Sequence, residues 1–266
     1  MTMQGMLEGK VAVITGAGSG VGRAAVKLWT EHGAKVIAAD INLAAAEESV
    51  ALAGPEGRAK AVRCDVSDPA SVDAAVAAAV EAFGRLDIIY NNAGVTVSMG
   101  PKGPRSITDL PHDEMRKVED INVHGVIYGC QAAVRQFEKQ GGGGYAIVST
   151  ASIAGLIGYG GALYGATKGA VTSLTRALAI ELASQDIRVN AVCPAGMLTH
   201  YAGQNPDDEN REAKLARIGS AHPLGRAVDP GEAAAAAMFL VSDMAINITG
   251  VCLPLDGGVT AGRKLG

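Results

Sequence analysis

With 266 residues, 48% of them apolar, and a net charge of −4, the chain can bury one sizeable α/β core and is too hydrophobic to be disordered. It has no dense Lys/Arg run, so neither nucleic acid nor an anionic membrane is an expected partner, and no apolar run reaches the length of a membrane span. The start, Met1 to Lys10, carries no hydrophobic signal core, which points to a cytoplasmic protein. Cys64, Cys130, Cys193 and Cys252 lie in apolar stretches without a Cys-x-x-Cys or Cys/His cluster. They read as reduced core thiols, and no metal site is expected.

The first element is a short apolar strand, Val11 to Ile14. A glycine turn follows, Gly16-Ala-Gly-Ser19-Gly20-Val21-Gly22, and then a helical pattern through His32. Free N–H groups and the positive end of that helix suit a pyrophosphate. A second strand from Lys35 ends in Asp40, about twenty residues past the glycines, where a carboxylate can accept both ribose hydroxyls of an adenosine. The same charge repels a 2′-phosphate, and Ile41 beside it offers no compensating cation, so NAD is expected over NADP.

A helix over 43–52 and a strand from Ala59 to Cys64 lead to Asp65 and Val66. Val72, Val76, Val80 and Phe83 then mark a helix that Gly84 ends, and Leu86 to Tyr90 is the fourth strand. Residues 95–106 lack periodicity and read as a loop. One long helix is expected over 113–139, containing Asn122, which must face solvent or meet a buried partner. Tyr145 to Ser149 is a strand, and the helix containing Tyr164 runs to about 184 with Val171, Leu174, Leu178 and Leu182 inward. Ile187 to Val192, a short helix near 208–218, a helix over 231–241 and a strand Val251 to Leu255 complete the chain. This βαβα alternation predicts a doubly wound, mostly parallel Rossmann-type sheet of about seven strands with helices on both faces, in one domain over 1–266. Its ligand crevice lies at the strands' carboxyl ends, bounded by loops 95–106 and 195–230.

Tyr164 and Lys168 are four residues apart, one helical turn on the same face. A neighbouring ammonium should lower the phenol's pKa and make it a general acid or base, and Ser152 could hydrogen-bond an oxygen held against Tyr164. On its own, such a Tyr/Lys pair is usually just an exposed helix face.

Taken with the glycine turn, Asp40 and Asn91-Asn92-Ala93-Gly94, these residues make the chain resemble the short-chain dehydrogenase/reductase family, in its compact single-domain branch, over nearly its whole length. The resemblance implies a catalytic set of Asn122, Ser152, Tyr164 and Lys168. Tyr164 would exchange the proton, Ser152 orient the substrate oxygen, Lys168 bind the nicotinamide ribose, and the Asn122 main chain hold a water. It also implies Asp65 and Val66 at the adenine, Asn91 with Asn92, Ala93 and Gly94 near the adenosine side, and Pro194, Met197 and Thr199 at the nicotinamide, with Thr199 at the carboxamide. A homotetramer packed through the helices at 113–139 and 163–184 and the last helix and strand is implied as well. One departure is visible: Ala195 stands where the family usually has glycine after Pro194, and a positive φ there would strain it.

These features predict an NAD-dependent oxidoreductase interconverting a secondary alcohol and a ketone. Met99, Ile153, Leu156, Ile157, Tyr159 and Met197 are expected to give apolar walls suited to a hydrophobic or cyclic substrate, while Lys102, Arg105, His112 and His200 could instead admit a charged one. The alternative from another class is a dinucleotide-binding sensor or scaffold without useful catalysis, which would have no need of Ser152, Tyr164 and Lys168 together. Epimerisation or dehydration of a nucleotide sugar would need more chain after Thr199.

Overall fold

The computed structural model describes residues 5–54, 57–100, 103–201 and 205–262. Its centre is a parallel seven-stranded sheet. The first half comprises strands β1 (Val11–Thr15), β2 (Lys35–Asp40), β3 (Ala59–Arg63) and β4 (Ile88–Asn91), with helices α1 (Gly20–Glu31), α2 (Leu43–Ala51) and α3 (Pro69–Phe83) between them. A two-residue hairpin follows, β5 (Met99–Gly100) with β6 (Gly103–Pro104), and then α4 (His112–Glu119) and α5 (Gly125–Gln140). The second half has β7 (Tyr145–Thr150), α6 (Ala162–Glu181), β8 (Ile187–Pro194), α7 (Arg211–Gly219), α8 (Pro230–Val241) and β9 (Cys252–Leu255). Sheet order is β3-β2-β1-β4-β7-β8-β9, so the order reverses between β1 and β4, and a crevice opens at their carboxyl ends.

Strand alternation decides which helices lie on which face. Val11 and Val13 of β1 point to the cluster built with Val72, Val76, Phe137 and Val171 of α3, α5 and α6. Ala12 and Ile14 point the other way, to Val26, Trp29, Ala234 and Met238 of α1 and α8. Trp29 is fully buried, stacks on Tyr90 at 5.4 Å between ring centroids, and donates its indole N–H to the Ala234 carbonyl at 3.2 Å. Such a side chain contributes on the order of 3 kcal/mol by burial, with its one polar atom paired. The stripe of α3 is Val72, Ala75, Val76 and Ala79, with Val80 and Phe83 only half-buried; in α6, Thr172, Thr175 and Ala179 bury with Val171, while Leu174 and Leu178 are half-buried.

Local chemistry sets the boundaries. Asp68 caps α3 by accepting from the Ala70 N–H at 3.0 Å, Pro69 occupies its first turn, and Gly84 ends it in the left-handed region at φ 84°. Asp229 and Glu232 form a reciprocal capping box at the start of α8.

Two expectations are corrected. The 95–106 segment is not wholly loop, because β5 and β6 pair antiparallel through Met99/Pro104 and Gly100/Gly103. A ladder this short leaves no periodicity to read. The helix expected over 113–139 is interrupted by a π-helical turn, Asp120–His124, between α4 and α5. Among the described residues no helix is long and apolar enough to cross a membrane, no group of His, Cys, Asp and Glu could hold a metal ion, and the four cysteines are free.

Candidate active site

A cleft of about 940 Å³ occupies the crevice. At its nucleotide end the exits of β1 and β4 are tied together. Thr15 Oγ1 accepts from the N–H groups of Asn92 and Ala93 at 3.0 and 3.1 Å, and the Asn92 amide donates back to the carbonyls of Thr15 and Gly16 at 3.0 and 3.2 Å. The turn is compressed: a Cβ on Gly16, which has φ 63°, would lie 2.8 Å from Ala93 Cα, and one on Gly22 only 2.1 Å from the Gly16 carbonyl oxygen. Gly22 is therefore needed for packing and is not on the cleft wall, whereas Gly16, Ser19, Gly20 and Val21 are. Ser19 places no side-chain bond on the first turn of α1, and no acidic residue stands there. The free N–H groups and the tight glycine cradle fit a dinucleotide's pyrophosphate.

Asp40 lines the cleft beside this turn. Its carboxylate accepts from the N–H groups of Gly18 and Asn42 at 2.8 and 2.9 Å, which aims it at the cleft. Arg23, the nearby cation, is engaged by Glu48 at 2.8 Å and by Ser49 at 3.0 Å, and does not line the cleft. Ile41, Asp65, Val66, Asn92, Ala93 and Gly94 also line the cleft. Hydrogen bonds from Ser67 hold the Asp65 carboxyl below its ordinary pKa. Asn91 is a correction: it is buried, donates to Cys130 Sγ at 3.5 Å, and faces α5 instead of the adenosine side. Strand alternation turns it away from its neighbour Asn92.

At the other end, β7 delivers Ser152 and α6 delivers Tyr164 and Lys168, all three to the cleft wall. Ser152 Oγ donates to the Pro194 carbonyl at 3.2 Å and accepts from the Ala154 N–H at 3.2 Å. Lys168 Nζ lies 5.7 Å from the Tyr164 ring centroid and donates to the Thr150 carbonyl at 2.7 Å. Asn122, fully buried in the π turn, accepts from Val95 N–H at 2.8 Å and donates to the Val95 carbonyl at 2.8 Å and to Thr167 Oγ1 at 3.2 Å. Its side chain thereby locks the loop after β4 to α6. Gly94 lets these groups converge, since a Cβ there would stand 3.3 Å from Asn122 Oδ1 and 3.4 Å from Lys168 Nζ.

The expected lowering of the Tyr164 pKa is corrected. Burial raises it, against the opposing hydrogen bonds of the Tyr201 and Ser152 hydroxyls. Lys168 does not offset this because its ammonium faces the Thr150 carbonyl and is itself desolvated, which brings its pKa down to about 8.

The substrate walls also differ in part from expectation. Tyr159 and Met197 line the cleft with Pro194 and Thr199, but Ile153 is fully buried against Ala195 and Val228, Leu156 packs on the core, and Ile157 is exposed away from it. Strain at Ala195 is absent: its φ is not positive, and its side chain joins that small apolar cluster. The Met99 side chain and Lys102 lie outside the described residues. His200 lines the cleft, His112 does not, and Arg105 is tied to Ser98 Oγ at 3.1 Å.

Two wall residues escaped sequence reasoning. Tyr201, whose ring is 6.2 Å from that of Tyr164, lies in a polar stretch with no motif around it. Glu114 of α4 accepts from the Ser98 backbone N–H and, at 3.0 Å, from Ser98 Oγ, fastening the segment that leads into the hairpin. The only available sign was a carboxylate in a first helical turn, which is ordinary.

The family model described as Enoyl-(Acyl carrier protein) reductase matches residues 16–260. The chain is 40% identical over 255 residues to the meso-2,3-butanediol dehydrogenase of Serratia marcescens, covering 96% of each, and 38% identical over 261 residues to the cyclohexanol dehydrogenase of an Acinetobacter species, covering 97% of this chain and 98% of that one. Among solved structures, the 3-ketoacyl-(acyl-carrier-protein) reductase of Brucella melitensis complexed with NADH superimposes with a TM-score of 0.82 at 38% identity, over 96% of this chain and 99% of that one. The chain belongs to the short-chain dehydrogenase/reductase family, whose nicotinamide chemistry its cleft is shaped to host.

Proposed function

We propose that the chain is an NAD-dependent dehydrogenase interconverting a secondary alcohol and a ketone, with 1–266 acting as one dinucleotide-binding domain in the cytoplasm. The observation that carries this reading is the convergence of Ser152, Tyr164 and Lys168 on one wall of a cleft whose other end is the glycine cradle. A binding-only protein has no need of that wall. Bound NAD supplies the hydride acceptor at the substrate carbon.

The chain's own residues do the rest. The Tyr164 phenol, held protonated by burial, is ready to donate to a substrate carbonyl oxygen in the reducing direction. In the oxidising direction it takes the hydroxyl proton as the phenolate, the form that the hydrogen bonds of the Tyr201 and Ser152 hydroxyls favour. Ser152 Oγ, positioned by Pro194 and Ala154, orients the same oxygen. Lys168 binds the nicotinamide ribose, Thr199 the carboxamide, and Asn122 keeps the Val95 loop and α6 in register. NAD is favoured over NADP because the Asp40 carboxylate points into the cleft while Arg23 is neutralised by Glu48.

The Val95, Val97, Tyr159 and Met197 walls suit a hydrophobic or cyclic alcohol. Relatives named for butanediol and cyclohexanol support that class. The test is Tyr164→Phe assayed with NAD and cyclohexanol: turnover should fall about 10²- to 10⁴-fold while NAD binding by titration is retained. Undiminished turnover would sink the assigned role.

A further inference from the structure

We infer that Tyr201 is a positioning residue for the reaction: its hydroxyl donates to the phenol oxygen of Tyr164 and prepares that oxygen to receive the alcohol's proton. This rests on the secondary-alcohol reading above and adds a residue to it.

Tyr201 stands just past β8, with its ring 6.2 Å from that of Tyr164 and tilted by 57°. Both rings line the cleft, and their hydroxyls are hydrogen-bonded to each other. The backbone holds Tyr201 in place from the other side, because its N–H donates to Thr199 Oγ1 at 3.2 Å. Thr199 lines the same cleft, so the second phenol is anchored to the wall beside the first.

The hydrogens decide which way the bond runs. Between two phenols one oxygen donates and the other accepts. This bond lowers the pKa of Tyr164 and raises that of Tyr201, so Tyr201 gives the hydrogen, and a pair that loses one proton loses it from Tyr164. The other neighbours of Tyr164 are less free to serve. Lys168 Nζ is turned to the Thr150 carbonyl at 2.7 Å, and the single hydrogen of Ser152 Oγ is shared with the Pro194 carbonyl at 3.2 Å. Tyr159 and Cys193, if charged, oppose the phenolate, and His200 adds the remaining titratable group of that wall. Among the described residues, the Tyr201 hydroxyl has no acceptor but Tyr164. A phenolate oxygen has lone pairs for more than one donor, so Tyr164 keeps Tyr201 while an alcohol hydroxyl approaches.

The test is Tyr201→Phe, which removes one oxygen and keeps the ring, with Tyr201→Leu beside it. The first readout is nuclear magnetic resonance of the NAD-bound protein isotope-labelled at the tyrosine Cζ. The Tyr164 signal is identified by its loss in Tyr164→Phe, and its shift with pH follows ionisation of that phenol. In both Tyr201 variants the midpoint should move up by about one to two pH units, the effect of one hydrogen bond lost from a charged acceptor. The second readout is kcat/KM for cyclohexanol oxidation against pH. Its ascending limb should move the same way, with the rate below the limb falling about three- to tenfold.

A midpoint and limb left in place by Tyr201→Phe overturn the role, even if the rate falls or KM rises, because a residue that only shapes the cleft would do that. A shift in Tyr201→Leu without one in Tyr201→Phe assigns the effect to the ring and overturns it too. A wild type inert towards alcohols removes the dehydrogenase reading instead, and the Tyr164 resonance, which needs no turnover, still decides whether Tyr201 holds that phenol.

Discussion

Replacing Asp40 by serine separates the two effects behind the proposed preference for NAD. The carboxylate accepts from Gly18 and Asn42 and lines the cleft, where the proposed reading has it accept from the ribose hydroxyls. Hydrogen bonds from ribose hydroxyls to a charged acceptor contribute roughly 1.5–3 kcal/mol, so their loss should lower kcat/KM for NAD by about ten- to a hundredfold. Against a 2′-phosphate the carboxylate works the other way. Two unit charges about 5 Å apart repel by about 3 kcal/mol at an effective dielectric near 20. Arg23 does not offset this, being held by Glu48 at 2.8 Å. Removing the charge should thus raise activity with NADP as it lowers activity with NAD, moving their ratio by about a thousandfold or more. The assay is initial rate at the reduced-nicotinamide band with one alcohol and either cofactor. A wild type that uses both equally, or a ratio that Asp40→Ser leaves in place, would refute the electrostatic argument.

Lys168→Met tests the cost of the buried ammonium. With its pKa brought down from 10.5 to about 8, Lys168 disfavours the folded state below pH 8 by up to about 3 kcal/mol. Between pH 8 and 10.5 the unfolded chain holds that proton more tightly, so wild-type stability rises with pH across this window. The variant lacks that rise. Its stability relative to wild type, from urea unfolding, should therefore decline between pH 7.5 and 9.5, and a constant difference would contradict the desolvation argument. We also expect a homotetramer packed through α5, α6, α8 and β9, in keeping with the exposure of Ile180, Ile246 and Val251. A monomeric mass by light scattering would refute it.

Much of this was legible in the sequence because it rests on short-range chemistry. The glycine turn and Asp40 follow from chain spacing, and Tyr164 and Lys168 share a helix face by periodicity alone. What could not be read depends on side-chain direction across elements. Asn91 and Asn92 are adjacent and chemically identical, yet strand alternation sends one into α5 and the other to the cleft. Ile153 and Leu156 follow Ser152 closely but are drawn into the core. The Tyr164–Lys168 spacing was right, while its electrical consequence was not, because burial and the Thr150 carbonyl lie outside any local window. Tyr201 comes to the cleft wall on the polar stretch after β8, which carries no pattern.

Trp29, described above as a core side chain, is also the chain's single tryptophan. Its ring stacks on Tyr90, whose hydroxyl accepts from Thr150 Oγ1 at 2.9 Å, and Thr150 in turn accepts from Lys168 Nζ. Indole emission from this protein therefore has one origin, set a few contacts behind the reacting end of the cleft. A reduced dinucleotide added to the protein would take up that light from one fixed donor, so a fluorescence titration reads occupancy without a label and without turnover.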